Sequence, residues 1–515
     1  MSGRKHDFYL YAAAAATLIS IVYWSLFAIN AYNTFHEYHD VGDAAYSMYY
    51  HTNYPNQISG LQYLVFTNHI APDQLLLLPI FYLFPEALTL LFVQAIVISL
   101  TGLLLFFVVK ELSKSKAWGF IFCIVFLINP GVHGILIFDY HVEFLIIPLM
   151  LLVFYFYMKV NKPLFLISLL LMLGAVDTSP IVGVSLGLGL FLFDFVHTDN
   201  KKLKKQRMQL ASVIIALSLI ALLIYAVIDQ SLLNSYATGY QNMPQIFQVI
   251  PFVPQQIAAI ASQPISQLPI SQWQISAYVY AALGLIAGVF FFGFLVLSDP
   301  LVSLLLAAPW LAKIFILGSF EYAALYLHYY VYVLGGTVIA SILGLLLIYE
   351  RKGLVARLIK KRGGHTVFSN YKTYLYHANI LTRSTIMLIT TILIFISPLF
   401  VLSKNVNYPQ QDFLFQINAS QREIISQLDF VMNQTPTNAP LMTASFVTPH
   451  VFTREYMEEP SASPQFVAQY VLVDYNLNVS QHAFDDYGAF VAYMSAHNYS
   501  LIVENGTAQL FKLTT

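Results

Sequence analysis

Charge is scarce in this chain of 515 residues, where Asp, Glu, Lys and Arg together make up 10%. A soluble domain carries about one-quarter charged residues, so a single water-soluble globule is excluded. Cysteine is nearly missing. The lone Cys123 sits inside an apolar run, which excludes a disulfide framework and a cysteine-based metal site. The phosphate-cradling, dinucleotide, serine-nucleophile and zinc motifs are all absent, so no ATP-driven engine is encoded. A net charge of −1 provides no basic field for nucleic acid. No cleavable leader is expected either. Gly3-Arg4-Lys5 precedes an apolar run from Phe8 to about Asn30, longer than a signal core and without a small-residue cleavage site, so it reads as a first span that also targets the chain.

What the chain has in plenty is apolar surface: 58% of residues are hydrophobic, 15% aromatic, and the mean hydropathy is +0.66. The apolar residues form unbroken blocks rather than amphipathic stripes, a pattern lipid tolerates and water does not. Blocks of spanning length lie near 8–30, 86–109, 117–137, 143–158, 163–176, 179–196, 208–228, 276–297, 300–318, 329–349 and 384–403. The fold class expected is an all-α polytopic transmembrane bundle of about eleven spans. The stretch 163–196 reads either as two tight spans or as one helix broken around Asp177 and Pro180.

Orientation follows from the missing cations. The long segments 31–85 and 229–275 contain no Lys or Arg, whereas twenty of the 25 basic residues fall in the intervening short loops and the N-terminus. The positive-inside rule then places the N-terminus in the cytoplasm and segments 31–85 and 229–275 outside. Eleven spans put the C-terminus outside as well. Asn-x-Ser/Thr triplets begin at Asn418, Asn433, Asn478, Asn498 and Asn505, all beyond the last span, which agrees with that side. The organisation expected is a transmembrane unit over 1–403 and a small extracytoplasmic α/β domain over 404–515. In the tail, Gln421–Met432 has helical periodicity, while 468–474, 500–504 and 508–512 read as short strands. The 229–275 segment alternates Pro, Gln and Ile and is expected to lie at the interface as short amphipathic pieces.

Polar groups that interrupt apolar surroundings are the candidates for chemistry. His39-Asp40-Val41-Gly42-Asp43 follows the first span. If helical, it places Asp40 and Asp43 on one face, where one acid can act as general base toward a hydroxyl; a solvated acidic loop is the plainer alternative. Asp139-Tyr140-His141-Val142-Glu143 lies between two apolar runs. An extended backbone would point Asp139, His141 and Glu143 the same way, a set suited to Mg²⁺ or Mn²⁺, against the alternative of a satisfied interfacial network. His69 precedes a short apolar run. Asp177 is expected to cap the helix starting near Ser179. Lys313, Glu321 and His328 stand near the ends of two later blocks, where a cation can meet a lipid-linked phosphate or simply pair with Glu321. The basic runs at 201–207 and 351–362 fit topology and anionic-lipid contact.

Several of these stretches resemble one family. His39-Asp40-Val41-Gly42, Asn68-His69-Ile70-Ala71-Pro72, Leu78-Pro79-Ile80-Phe81-Tyr82, Leu88 to Gln94 and Phe138-Asp139-Tyr140-His141-Val142-Glu143 are similar to a predicted membrane-protein family of archaea and bacteria, the domain of unknown function 2079. In that family the first motif reads Phe-Asp-Leu-Gly, so His39 and Val41 depart from it. A later Lys-Glu-Asp-like motif stands here as Val176-Asp177-Thr178, a larger departure. The tail's Pro449-His450 and Arg454-Glu455-Tyr456 look like the family's Pro-His, Arg and Tyr segment.

The resemblance implies kinship with the GT-C class of membrane glycosyltransferases. On that basis the activity expected is transfer of a sugar from a polyprenyl-phosphate donor to a glycan, lipid or protein acceptor on the outer face. Asp40 would be the catalytic acid of the first outer segment, with Asp43 as its substitute candidate and His69 as a further catalytic candidate. Lys313, Glu321, His328, His450 and Arg454 would bind substrate or phosphate. A divalent metal at Asp139, His141 and Glu143 is the one cofactor expected, and membrane lipid the surrounding partner. The alternatives are a non-enzymatic lipid or solute transporter and a surface-binding membrane protein.

Overall fold

A computed structural model of the chain describes residues 8–35, 39–58, 64–66, 69–236, 293–317, 330–350, 352, 419–443, 447–454, 457–458, 468–474 and 487–514. Its first helix, α1 (Phe8–Asn33), is followed by α2 (His39–Asn53), a two-residue hairpin β1 (Val65–Phe66) and β2 (His69–Ile70), a 3-10 turn over Pro72–Leu76, and α3 (Leu78–Leu83). The segment read as an outer loop is thus largely folded. Then come α4 (Ala87–Ser113), α5 (Lys116–Leu127), α6 (Pro130–Phe138), a 3-10 turn over Val142–Leu145 that runs into α7 (Ile146–Lys159), α8 (Lys162–Gly174), α9 (Ser179–His197) and α10 (Lys201–Tyr236). After these stand α11 (Pro300–Leu317) and α12 (Val331–Tyr349).

Among the described residues six helices are long and apolar enough to cross a membrane, and a seventh span exists if α5 and α6 count as one broken crossing. Helices α8 and the first part of α11 are shorter apolar helices. The block 384–403 and all but the end of 276–297 lie outside the described residues, as does nearly all of 229–275. The block 117–137 is not one straight helix: α5 and α6 meet at a 44° bend. The cause is local. Pro130 has no amide hydrogen to continue the ladder, and Asn129 restarts it by accepting from the Gly131 amide at 2.8 Å. The stretch 163–196 is two helices, α8 and α9.

The bundle has two polar ends, and the directions of its helices define them. The C-terminal ends of α4, α7, α9 and α12 meet the N-terminal ends of α8, α10 and α11 at one end. Glu111 of α4 bonds Lys159 of α7 at 2.5 Å, His197 of α9 bonds Asp299 beside α11 at 2.6 Å, and Lys352 beyond α12 bonds Asp199 at 2.7 Å. The fully buried Asp194 of α9 accepts from Tyr157 of α7 and lies 3.5 Å from the Arg207 guanidinium of α10. Lys110, Lys114, Lys116, Lys162 and the 201–207 run share this basic end. The stretch from Val142 to Lys159 counts 18 residues, so roughly 27 Å separates the two ends, close to the ~30 Å of a hydrocarbon core.

The tail is a three-layer sandwich. Helix α13 (Ala419–Gln434), β3 (Leu441–Thr443), α14 (Thr448–Val451), β4 (Met457–Glu458), β5 (Tyr470–Asp474), α15 (Tyr487–Ala496), β6 (Tyr499–Asn505) and β7 (Ala508–Leu513) build a sheet of order β4-β3-β5-β7-β6. Strands β3, β4 and β5 run parallel, while β7 is antiparallel to both β5 and β6. Alternation along each strand divides the core in two. Leu441, Leu472 and Leu510 pack with Leu428 and Val431 of α13, whereas Met442, Val471, Val473 and Phe511 pack with Phe490 and Met494 of α15. The expected helix and three strands are present; β3, β4 and α15 had weak signals because they are short or bounded by polar turns. The sandwich is docked on α1 and α2. Phe35 enters its core, His450 stacks on Tyr32 at 4.1 Å, and Thr448 and Pro449 press on Gly42.

Candidate functional site

At the end opposite the basic one, α2 starts with an acid. Asp40 stands in its first turn, where the helix dipole favours a negative charge. The next amide, Val41, donates to Asp139 Oδ2 at 3.2 Å, which fixes α2 to the end of α6. Asp139 has an extended backbone (φ −179°, ψ −172°), and its Oδ1 accepts from the Tyr140 amide at 2.6 Å. Buried Gln94 of α4 holds the same turn. Its amide nitrogen donates to the carbonyls of Ile135 (3.1 Å) and Asp139 (2.7 Å), and its oxygen accepts from the His141 amide at 2.9 Å.

That scaffold presents His141 to two acids. Its Nε2 lies 3.1 Å from Asp40 Oδ2 and its Nδ1 lies 3.8 Å from Glu143 Oε2. Side-chain exposure falls from 30% at Asp40 through 12% at His141 to 4% at Glu143, so the row runs from an open rim inward. Phe138 stacks on the imidazole, 5.3 Å between centroids. Behind Glu143 stands Tyr332 of α12, whose hydroxyl is 3.5 Å from Oε1 and 2.8 Å from the Thr178 hydroxyl.

Thr178 leads to a second polar group. Its chain neighbour Asp177 does not cap α9 as expected; its Oδ2 is 3.2 Å from Nδ1 of His69 on β2, and the cap position is Thr178, with no side-chain cap bond. The buried Val176 amide is instead satisfied by Ser179 Oγ at 3.2 Å. Asp73 packs on the end of α8, where a Cβ on Gly174 would come within 2.6 Å of its Oδ1. Only glycine leaves that room. Burial raises the Asp73 carboxyl from 3.8 to about 7.

Residues 27–489 match the family described as predicted membrane protein, DUF2079. The chain is a DUF2079 protein. No curated protein matches it. The DUF2079 match takes in every residue of both polar groups and most of the tail, including α14 and Arg454.

Within this DUF2079 chain, Asp40, His141 and Glu143 are brought together, and His69 joins them through Asp177, Thr178 and Tyr332. Asp43 lies one turn further along α2, half-buried. The expected Asp139, His141 and Glu143 metal set is not assembled: among the described residues no three His, Cys, Asp or Glu side chains are grouped to hold an ion. The alternation fails because Asp139 turns to α2 and the backbone coils at Val142. Lys313 is on α11, which runs from the basic end toward the site; its side chain, Glu321 and His328 lie outside the described residues. His450 and Arg454 occupy the docked sandwich instead. His450 lies between Tyr32 and Phe35, and burial lowers its pKa from 6.5 to about 4. Arg454 is buried and donates to the carbonyls of Val451 (2.9 Å), Ala439 (3.2 Å) and Pro436, a fastening of the tail to itself. Sequence reasoning missed Gln94, Tyr332 and Thr178. A lone amide inside the apolar run 88–99 was the one available signal.

Proposed function

We propose that this DUF2079 protein is a membrane-embedded transferase that moves a sugar from a polyprenyl-phosphate donor to a hydroxyl acceptor at the rim bearing Asp40. The observation that supports the reading is the row Asp40–His141–Glu143, assembled from α2 and from the turn between α6 and α7. Transfer to a hydroxyl needs a base at the moment the oxygen attacks. Asp40, the most open member, takes the acceptor proton. The acceptor oxygen bonds to the anomeric carbon, and the carbon–oxygen bond to phosphate breaks, its electron pair leaving with the phosphate. His141 holds Asp40 in place, and Glu143 and Phe138 fix the imidazole. Lys313, carried toward the site on α11, is the cation suited to the leaving phosphate.

With the basic end in the cytoplasm, the Asp40 rim faces outward. Purified protein in lipid nanodiscs, given labelled polyprenyl-phosphate sugars, should form a glycosylated product. Asp40→Asn should lower that rate by roughly 10²–10⁴-fold, the usual effect of losing a positioned base. Full activity in Asp40→Asn would remove Asp40 from the reaction. In intact cells, a cysteine at Asp43 should react with an impermeant maleimide and one at Lys201 should not; the reverse pattern would turn the molecule over.

A further inference from the structure

The short stretch from Pro72 to Phe84 is inside out. Its polar side chains Asp73 and Gln74 are buried, whereas Leu76, Tyr82, Leu83 and Phe84 are 61%, 69%, 69% and 63% exposed and Ile80 is also open. Phe81 and Leu77 anchor the stretch inward. A segment bathed in water would have the opposite polarity, and five neighbouring large apolar side chains do not stand in water without cause. Their exposure is comparable to that of Leu18 on α1 and Leu170 on α8, residues on apolar helices that face outward from the bundle.

One length fixes the depth of this stretch. Helix α8 counts 13 residues and starts at the basic end, so its far end, Gly174, lies only roughly 20 Å away, short of a ~30 Å hydrocarbon core. Asp73 packs against Gly174. The stretch is therefore drawn below the rim, and α3, six residues long, is too short to cross.

We propose that Pro72–Phe84 is a dipping element whose outer face, Leu76, Ile80, Tyr82, Leu83 and Phe84, is immersed in the acyl chains of the leaflet on the Asp40 side. Its inner face walls off His69, Asp73 and Asp177 from that lipid. The occupant of the apolar face is phospholipid: Asp73 seats the stretch against α8, an apolar helix whose own Leu164, Ile167 and Leu170 are exposed. The inference stands whether or not the protein transfers sugar.

The test uses the full chain in nanodiscs of phosphatidylcholine and phosphatidylglycerol, with the buried Cys123 replaced by serine. Leu76→Cys, Leu83→Cys and Phe84→Cys, each carrying an NBD fluorophore, should give blue-shifted emission that doxyl-lipids quench as strongly as at Leu100→Cys on α4. Aqueous iodide should quench only Asn498→Cys on the tail. Iodide quenching at 76, 83 and 84 would overturn the proposal. So would quenching by neither agent, which would mean that protein, such as a second copy of the chain, covers the face. Should labelled variants fail to fold, a diazirine phospholipid on the unmodified chain should tag peptides spanning 72–84; tagging of α4 without that stretch would equally refute it.

Discussion

Asp73, which is buried, and His450, half-buried with its Nε2 enclosed, are ionisable side chains whose effects on stability run in opposite directions with pH. Burial raises Asp73 from 3.8 to about 7, so the folded protein holds a proton that the unfolded chain has lost. Stability from this group is complete below about 4 and is lost as pH rises toward 7. Burial lowers His450 from 6.5 to about 4, so the folded ring refuses a proton that the unfolded chain accepts. Its contribution is complete above about 6.5 and is lost as pH falls toward 4. The two trends cancel over the same window, and only substitution separates them. Melting in detergent from acid to neutral pH should therefore show Asp73→Asn gaining stability most at neutral pH, and His450→Phe gaining most in acid. Parallel melting curves for both variants would show that neither group titrates as described.

At the scale of elements, close approach rather than charge holds the site together. A Cβ on Gly131, in the first turn of α6, would lie 1.7 Å from the ring of Tyr330, which is itself buried against Trp310 just before α12. Gly131→Ala must push that ring and the start of α12, and with it Tyr332, at an overpacking cost of roughly 1–3 kcal/mol. A lowered melting temperature that Tyr330→Leu restores in the double variant is the outcome expected; an unchanged one would mean the ring moves freely. Gly42 plays the same part between α2 and α14, where a Cβ would meet the Thr448 methyl at 2.6 Å. The turn bearing Asp40 is thus held from two sides, by Asp139 at the Val41 amide and by the tail at Gly42.

Taken whole, the molecule is an apolar slab between two polar layers of different make. The basic layer is a web of ion pairs around Asp194, Arg207, His197 and Lys352, and it lies at the far ends of the helices that start at the Asp40 site. Arg207→Leu leaves the fully buried Asp194 without its cation, a loss of roughly 3–5 kcal/mol for a broken buried pair. Its melting temperature should fall clearly, and Arg207→Leu with Asp194→Leu should recover most of the loss. Unchanged melting of Arg207→Leu would show that the hydroxyls of Tyr157 and Thr198, which both donate to Asp194, satisfy it alone. The site-end layer contains acids, imidazoles and hydroxyls, which suits proton exchange better than lipid anchoring.

Membrane class, the apolar helices, the clustering of cations in alternate connections and the tail's α/β character were legible in the sequence, because each rests on local composition or on a period of two or 3.6 residues. Asp40, His141 and His69 were visible as polar interruptions of apolar runs. Their partners were not. The link from Asp40 to His141 spans about a hundred positions, and Asp177 reads as a helix cap until α8 and α9 are seen to deliver it to His69. The diversion of Asp139 to an amide of α2, the packing of His450 and Arg454 in the docked tail and the inverted face of 72–84 were likewise decided by tertiary packing. A residue's type limits which bonds it can make, but which of them it makes depends on the groups that distant segments bring within three or four ångströms.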